Sequence, residues 1–120
     1  MVGNTMKLSK ILHSLVEKDA KIVAIPEFII AGTYHDENHA QRRMQQRAIN
    51  VNMIRVALAY GKYQFHSHAR TWTLLDKCLK NTIYDSLIDD LRGLRIIAPI
   101  DKEEKCLFIT TVYWDFKLAN

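Results

Sequence analysis

Hydrophobic positions along this chain follow two periodicities, and one gives way to the other just past residue 60. Over residues 6–18, Leu8, Ile11, Leu12, Leu15 and Val16 form one stripe at helical spacing, with Lys7, Lys10, Ser14 and Glu17 opposite, so an amphipathic helix is predicted. Residues 21–30 are β-rich in composition, and Pro26 confines such a strand to a sheet edge or a bulge. A second helix is predicted over 36–47, with Asp36 as its cap and Glu37 in the first turn, where the helix dipole favours an acid. Asn50 is placed to cap a third, which buries Met53, Ile54, Ala57 and Leu58, reaches Tyr60 and stops at Gly61.

Beyond Gly61 the repeat shortens towards two. Short strands are predicted over 63–66 and 71–75 with a turn within 67–70, then a short helix over 85–91. Strands over 94–99 and 105–114 come next, joined by the charged turn 101–104. Helices lead and an antiparallel sheet succeeds them, so the class is α+β. A chain of 120 residues has the size of a single domain, and no repeat, low-complexity stretch or linker divides it.

Composition narrows the class. With 48% hydrophobic residues the chain can bury a core without disulfides or metal, and scarce glycine and proline argue against disorder. The longest apolar run, 22–30, is broken by Pro26 and Glu27, and the N-terminus lacks the pattern of a secretory signal, so no membrane association is expected. Cys78 and Cys106 form no C-x-x-C pair and read as reduced, packed thiols, which suits a cytoplasmic chain. The formal net charge of +4 is unevenly placed: residues 39–80 carry eight Lys/Arg against Asp76 alone, while both flanks are mildly acidic. A basic middle of this kind suits a surface that meets phosphate or an acidic protein, and equally a solubilising face.

Three constellations could carry chemistry. His39, Arg43 and Arg47 recur every four residues and line one face of the second helix, with Arg42 beside them. A guanidinium row binds phosphate through planar, permanently charged forks, and an imidazole among them can titrate near neutrality. Cleaving RNA without a metal needs a base for the 2′-hydroxyl, an acid for the departing 5′-oxygen and a cation for the developing charge. His66, His68 and Arg70 alternate and would share one face of a continuous strand; a turn at 67–70 would part them. Lys77 and Tyr113 are further candidates for that chemistry, and Lys62 is a candidate for holding phosphate. Tyr60, Tyr63, Phe65 and Trp72 interleave with the basic residues, as a surface that stacks single-stranded RNA requires, although alternating aromatics also serve as core. His35 and His39 are four apart without a third ligand, so neither metal nor cofactor is expected.

The sequence His39-Ala40-x-x-Arg43-Met44-x-x-Arg47-x-Ile49, an apolar helix and Tyr60-Gly61-Lys62 resembles the opening signature of a bacterial family of unknown function grouped with the RelE/BrnT-like toxins. The family's closing hairpin is matched by Leu91, Gly93, Leu94, Ile96 and Ile97, then by Phe108, Ile109, Thr110, Thr111, Val112 and Tyr113. The resemblance covers residues 36–114 and leaves the first 35 without a counterpart. Three departures stand out: Ala48 occupies a position usually held by glycine, residues 81–90 are longer and more helical, and Thr111 is an extra residue in the last strand. One added residue shifts the register and reverses the faces of every residue after it.

That resemblance implies a RelE-like fold, helices packed on a small twisted antiparallel sheet, carrying an extra N-terminal helix and strand in residues 1–35. It also implies a toxin-type, metal-independent endoribonuclease that cuts messenger RNA, often at the ribosome, and is restrained by an antitoxin protein. Phosphate would be held by His39, Arg42, Arg43, Arg47 and Lys62, and proton transfer and charge would fall to His66, His68, Arg70, Lys77 or Tyr113. The competing expectation is a non-catalytic module that binds nucleic acid or protein through residues 39–80. The N-terminal segment either packs onto the domain or pairs with another chain as an oligomer contact.

Overall fold

Two helices open the chain, and an acid between them ties both to the core. In the computed structural model, which describes residues 2–30, 44, 47–100 and 105–118, α1 spans Val2–Glu17 and α2 spans Ala20–Val23. The apolar stripe of α1 turns inward, with Leu12 and Val16 buried and Leu8 and Leu15 packed against the core. Asp19 caps α2, its Oδ1 accepting the Lys21 N–H at 2.9 Å. This cap overrides the β-rich composition of residues 21–24, so the strand expected over 21–30 is reduced to β1, Phe28–Ile30, after Pro26.

The other carboxylate oxygen of Asp19 has a longer reach. Oδ2 accepts the hydroxyls of both Tyr60 and Tyr84, each at 2.8 Å, and the carboxylate is only 7% exposed. Burial alone would raise its proton affinity and is the largest single effect. The two phenols, the Lys21 N–H and the Lys21 charge together outweigh it and hold the carboxyl below its ordinary range. Burial and the hydrogen bond to Asp19 push Tyr60 up to about 12 and raise Tyr84 further. Three distant segments thus meet at one buried acid.

Met44 is helical and buried, and the chain after it makes the long-range backbone bond of a Schellman stop. The Ile49 N–H reaches the Met44 carbonyl at 2.8 Å, and Ala48 between them has φ of 55°. Ala48 therefore takes a left-handed conformation that glycine adopts without steric cost. The rest of the helix expected over 36–47, including His39, Arg42 and Arg43, lies outside the described residues.

Helix α3, Val51–Tyr60, begins at Asn50, whose side chain accepts the Met53 N–H at 2.9 Å. It buries Met53, Ile54, Val56, Ala57 and Leu58 and packs against α1, α2 and the sheet. Gly61 ends it with an ordinary φ of −64°, and glycine is needed there for closeness: a Cβ would lie 2.5 Å from the Ala57 carbonyl oxygen.

From Gly61 the chain forms a hairpin of β2, Lys62–His66, and β3, Ala69–Thr73. The intervening Ser67 and His68 both have positive φ, the conformation of a two-residue type I′ turn, which places β3 two residues earlier than its composition suggests. A short helix α4, Asp76–Leu79, comes next, an element the hydrophobic pattern does not predict; Arg92 forks onto Asp76, with Nε at 2.9 Å. The expected helix over 85–91 is a 3-10 turn, Asp85–Leu87, running into α5, Ile88–Leu91. Strand β4, Leu94–Pro99, is as expected.

The final strand is divided. β5, Leu107–Ile109, pairs in parallel with β1, and β6, Thr111–Trp114, pairs antiparallel with β4. Thr110 between them donates its N–H to the Ile97 carbonyl, while Ile97 is also the register partner of Thr111. Two residues opposite one make this a β-bulge. The four-stranded antiparallel sheet has the order β2-β3-β4-β6, and the class is α+β with an N-terminal helix. No helix among the described residues is long and apolar enough to cross a membrane.

The buried acid and the left-handed alanine both have measurable consequences. Tyr60 has a raised folded-state pKa, so its share of stability is complete below pH 10 and is lost as pH rises through about 12. Urea midpoints should therefore fall between pH 10 and 12 in the wild type and fall less in Tyr60→Phe. Ala48→Gly, by relieving left-handed strain, should raise unfolding free energy by about 1 kcal/mol in the same titration.

Candidate functional site

Alternation along the strands and register between them divide the side chains of the sheet into two faces. Leu94, Ile96 and Ala98 of β4, Val112 of β6 and Trp72 of β3 face α3 and the core. The other face carries Lys62, Gln64 and His66 from β2, Ala69, Thr71 and Thr73 from β3, Arg95 and Ile97 from β4, and Thr111 and Tyr113 from β6.

One transverse row on this second face collects the chemistry. Lys62 pairs with Thr73, Thr73 with Arg95, and Arg95 with Tyr113, so the four side chains stand side by side across all four strands. Lys62 at the edge is exposed, Arg95 and Tyr113 are half-buried, and Thr73 forms the floor at 2% exposure. Arg95 Nη1 donates to Thr73 Oγ1 at 3.4 Å, a long contact. Among the described residues the buried Arg95 Nε–H has no hydrogen-bond partner. An orphaned buried guanidinium N–H is costly and calls for an acceptor.

Tyr113 belongs to this row because of the bulge. Leu107 and Ile109 are buried, and strict alternation would bury residue 111 next; the added residue makes it Val112 instead and sends Tyr113 to the face of Arg95. The facing that the extra threonine leaves open in the sequence is thereby fixed.

The other expected site residues are dispersed. The type I′ turn breaks the alternation of His66, His68 and Arg70, so the shared face that a continuous strand would give does not form: His66 stays on the face of the row, and His68 sits in the turn. Arg70 pairs with Phe65 on the opposite face and donates to the carbonyls of Ala98 at 3.4 Å and Pro99 at 3.1 Å. Lys77 is exposed on α4, outside the row. Arg47 has a positioning part: its Nη1 donates to the Val112 carbonyl at 2.6 Å, and its own carbonyl accepts the Trp114 indole N–H at 2.8 Å. These two bonds fasten the outer edge of β6, a sheet edge that is otherwise unpaired among the described residues. No three His, Cys, Asp or Glu side chains gather as metal ligands among the described residues.

Arg95 is the residue that the sequence does not reveal. Its one signal is a charge between Leu94 and Ile96 in an alternating strand, which marks an outward position but not its neighbours.

A cationic, phenol-bearing row crosses the antiparallel sheet of this small α+β domain. Residues 37–114 match a family described as Domain of unknown function (DUF4258), and the chain belongs to that family. No curated protein and no solved structure matches it.

If the Arg95 N–H is unpaired for the sake of a ligand, its removal should help the free protein. Arg95→Met keeps the aliphatic stem and deletes the orphan donor, so the unliganded chain should gain about 1 kcal/mol or stay level in thermal unfolding. The same variant should lose affinity for oligonucleotide phosphate in a filter-binding titration.

Proposed function

We propose that this protein is a toxin-type endoribonuclease that cleaves messenger RNA without a metal ion, with the row Lys62–Thr73–Arg95–Tyr113 as its catalytic surface. The observation that carries this reading is the buried Nε–H of Arg95, unpartnered among the described residues, next to Tyr113 and in one row with Lys62. The resemblance to RelE/BrnT-like toxins over residues 36–114 supports it independently. A scissile phosphate over Arg95 gains the charge stabilisation that the phosphorane-like transition state needs. Tyr113 stands next to Arg95 on β6, and Lys62 lies two strands to the other side, across Thr73. As the 2′-oxygen attacks phosphorus its proton passes to one flanking group, and the 5′-oxygen departs with a proton from the other. The products are a 2′,3′-cyclic phosphate and a 5′-hydroxyl, so no water or co-reactant is consumed. The protein partner implied by this reading is an antitoxin that covers the same face; the chemistry is the same whether the RNA is free or ribosome-bound.

One observation favours the second reading, a module that binds RNA without cutting it. His66 lies four residues along the strand direction and three strands across from Tyr113. That separation is about 13 Å along the strands and 14 Å across them, so His66 stands about 13 Å off the row that Lys62 and Tyr113 share. The row thus contains no imidazole.

The two readings part in a single assay. End-labelled RNA incubated with purified protein and a chelator should yield cyclic-phosphate ends. Tyr113→Phe should slow cleavage by about 100-fold with RNA affinity unchanged, Arg95→Gln should slow it by about 100- to 1,000-fold, and His66→Ala should stay within a few-fold. Intact RNA, bound by the wild type and released by Arg95→Gln, would establish the binding module instead.

A further inference from the structure

The row accounts for only one face of the sheet, and the strand that supplies Lys62 is exposed on both. Every residue of β2 is solvent-exposed, and among the described residues no strand pairs with its outer side. On the face opposite the row, Tyr63 and Phe65 are 52% and 55% exposed. Neither ring is needed to close the core, since Trp72 lies behind Tyr63, with ring centroids 5.3 Å apart at an interplanar angle of 54°. Arg70 stands beside Phe65 in register and is steered by the carbonyls of Ala98 and Pro99. Residues 62–73 contain Lys62, Arg70, His66 and His68 and not one acid.

We propose that Tyr63 and Phe65 form a base-stacking platform that holds single-stranded RNA along the outer edge of β2, on the face opposite the phosphate row. This rests on the endoribonuclease reading and adds to it a substrate requirement, unpaired bases. Residues two apart on a strand are about 6.7 Å apart, roughly the advance of one nucleotide in an extended strand, so successive bases can meet successive rings. Aromatic faces accept any base, and the acid-free surroundings suit the accompanying phosphates. The open edge of β2 leaves backbone N–H and C=O groups to meet base edges. A duplex, whose bases are stacked and paired, offers the platform nothing.

The test uses the full-length protein and a fluorescein-labelled, 2′-O-methylated oligouridine of about 12 nucleotides, which cannot be cleaved by 2′-hydroxyl attack. Anisotropy titrations would compare wild type, Tyr63→Ala, Phe65→Ala, Phe65→Tyr and Arg95→Gln at several salt concentrations. Each alanine change should weaken binding by about 5- to 100-fold with the salt slope preserved, because phosphate contacts remain. Phe65→Tyr should bind like wild type, and Arg95→Gln should flatten the slope. Both exposed positions can lose their rings without opening the core, and circular dichroism would verify folding. Affinity within two-fold of wild type in the double alanine variant, with Arg95→Gln still impaired, would overturn the platform and leave the row standing. No binding by wild type would overturn both. A wild-type dimer converted to monomer by the two alanines, with RNA affinity unaltered, would assign the edge to a second copy of the chain and also overturn the platform.

Discussion

One residue too many in the last strand sets the geometry of everything around it. Thr110 shares the Ile97 position with Thr111, and the resulting bulge lets the strand serve two partners: β5 runs parallel to β1 on one side of the break, and β6 returns to β4 on the other. It also exchanges the faces of the strand, so Val112 enters the core and Tyr113 joins Arg95. Without it the apolar residues of β6 would face the row and the phenol would face α3. A bulge beside a functional face that re-aims one side chain is a recurrent use of the device.

The two edges of the four-stranded sheet are treated differently. That of β6 is fastened by Arg47 through the Val112 carbonyl and the Trp114 indole. That of β2 carries no such cover among the described residues and exposes aromatic and basic side chains. The N-terminal residues also support the sheet indirectly. Asp19 joins α2, the end of α3 and Tyr84 at one carboxylate, and α3 lies beneath the core face of the strands. Residues 8–30 therefore pack against the core.

Local signals in the sequence are legible where local chemistry decides the outcome. The Asn50 cap, the buried stripe of α3 and the strand 94–99 can all be read directly, because each depends on a few neighbouring residues, while Ala48 stands out only against the glycine of the resembled family. Residues 21–24 mislead because their composition favours a strand while Asp19 before them caps a helix. The row itself is hidden for a different reason. Lys62, Tyr113 and Arg95 are separated along the chain, and their alignment depends on a two-residue turn built without glycine and on a bulge. Lys62 and Tyr113 are reachable as isolated candidates, whereas Arg95 becomes visible only once register places it between them. The histidines attract attention by spacing alone, and the type I′ turn at Ser67 and His68 disperses them.

Everything proposed for this face requires that the Arg95 guanidinium receive a phosphate. Binding can be followed at the atom concerned, by recording arginine Nε–H resonances while a non-cleavable, 2′-O-methylated RNA is titrated into the labelled protein. The Arg95 Nε–H signal should move downfield and exchange more slowly with water as the ligand saturates, and the Tyr113 ring should shift with it. An Arg95 signal unchanged at saturation, with the perturbed residues on α1 or α3 instead, would contradict the assignment of this face.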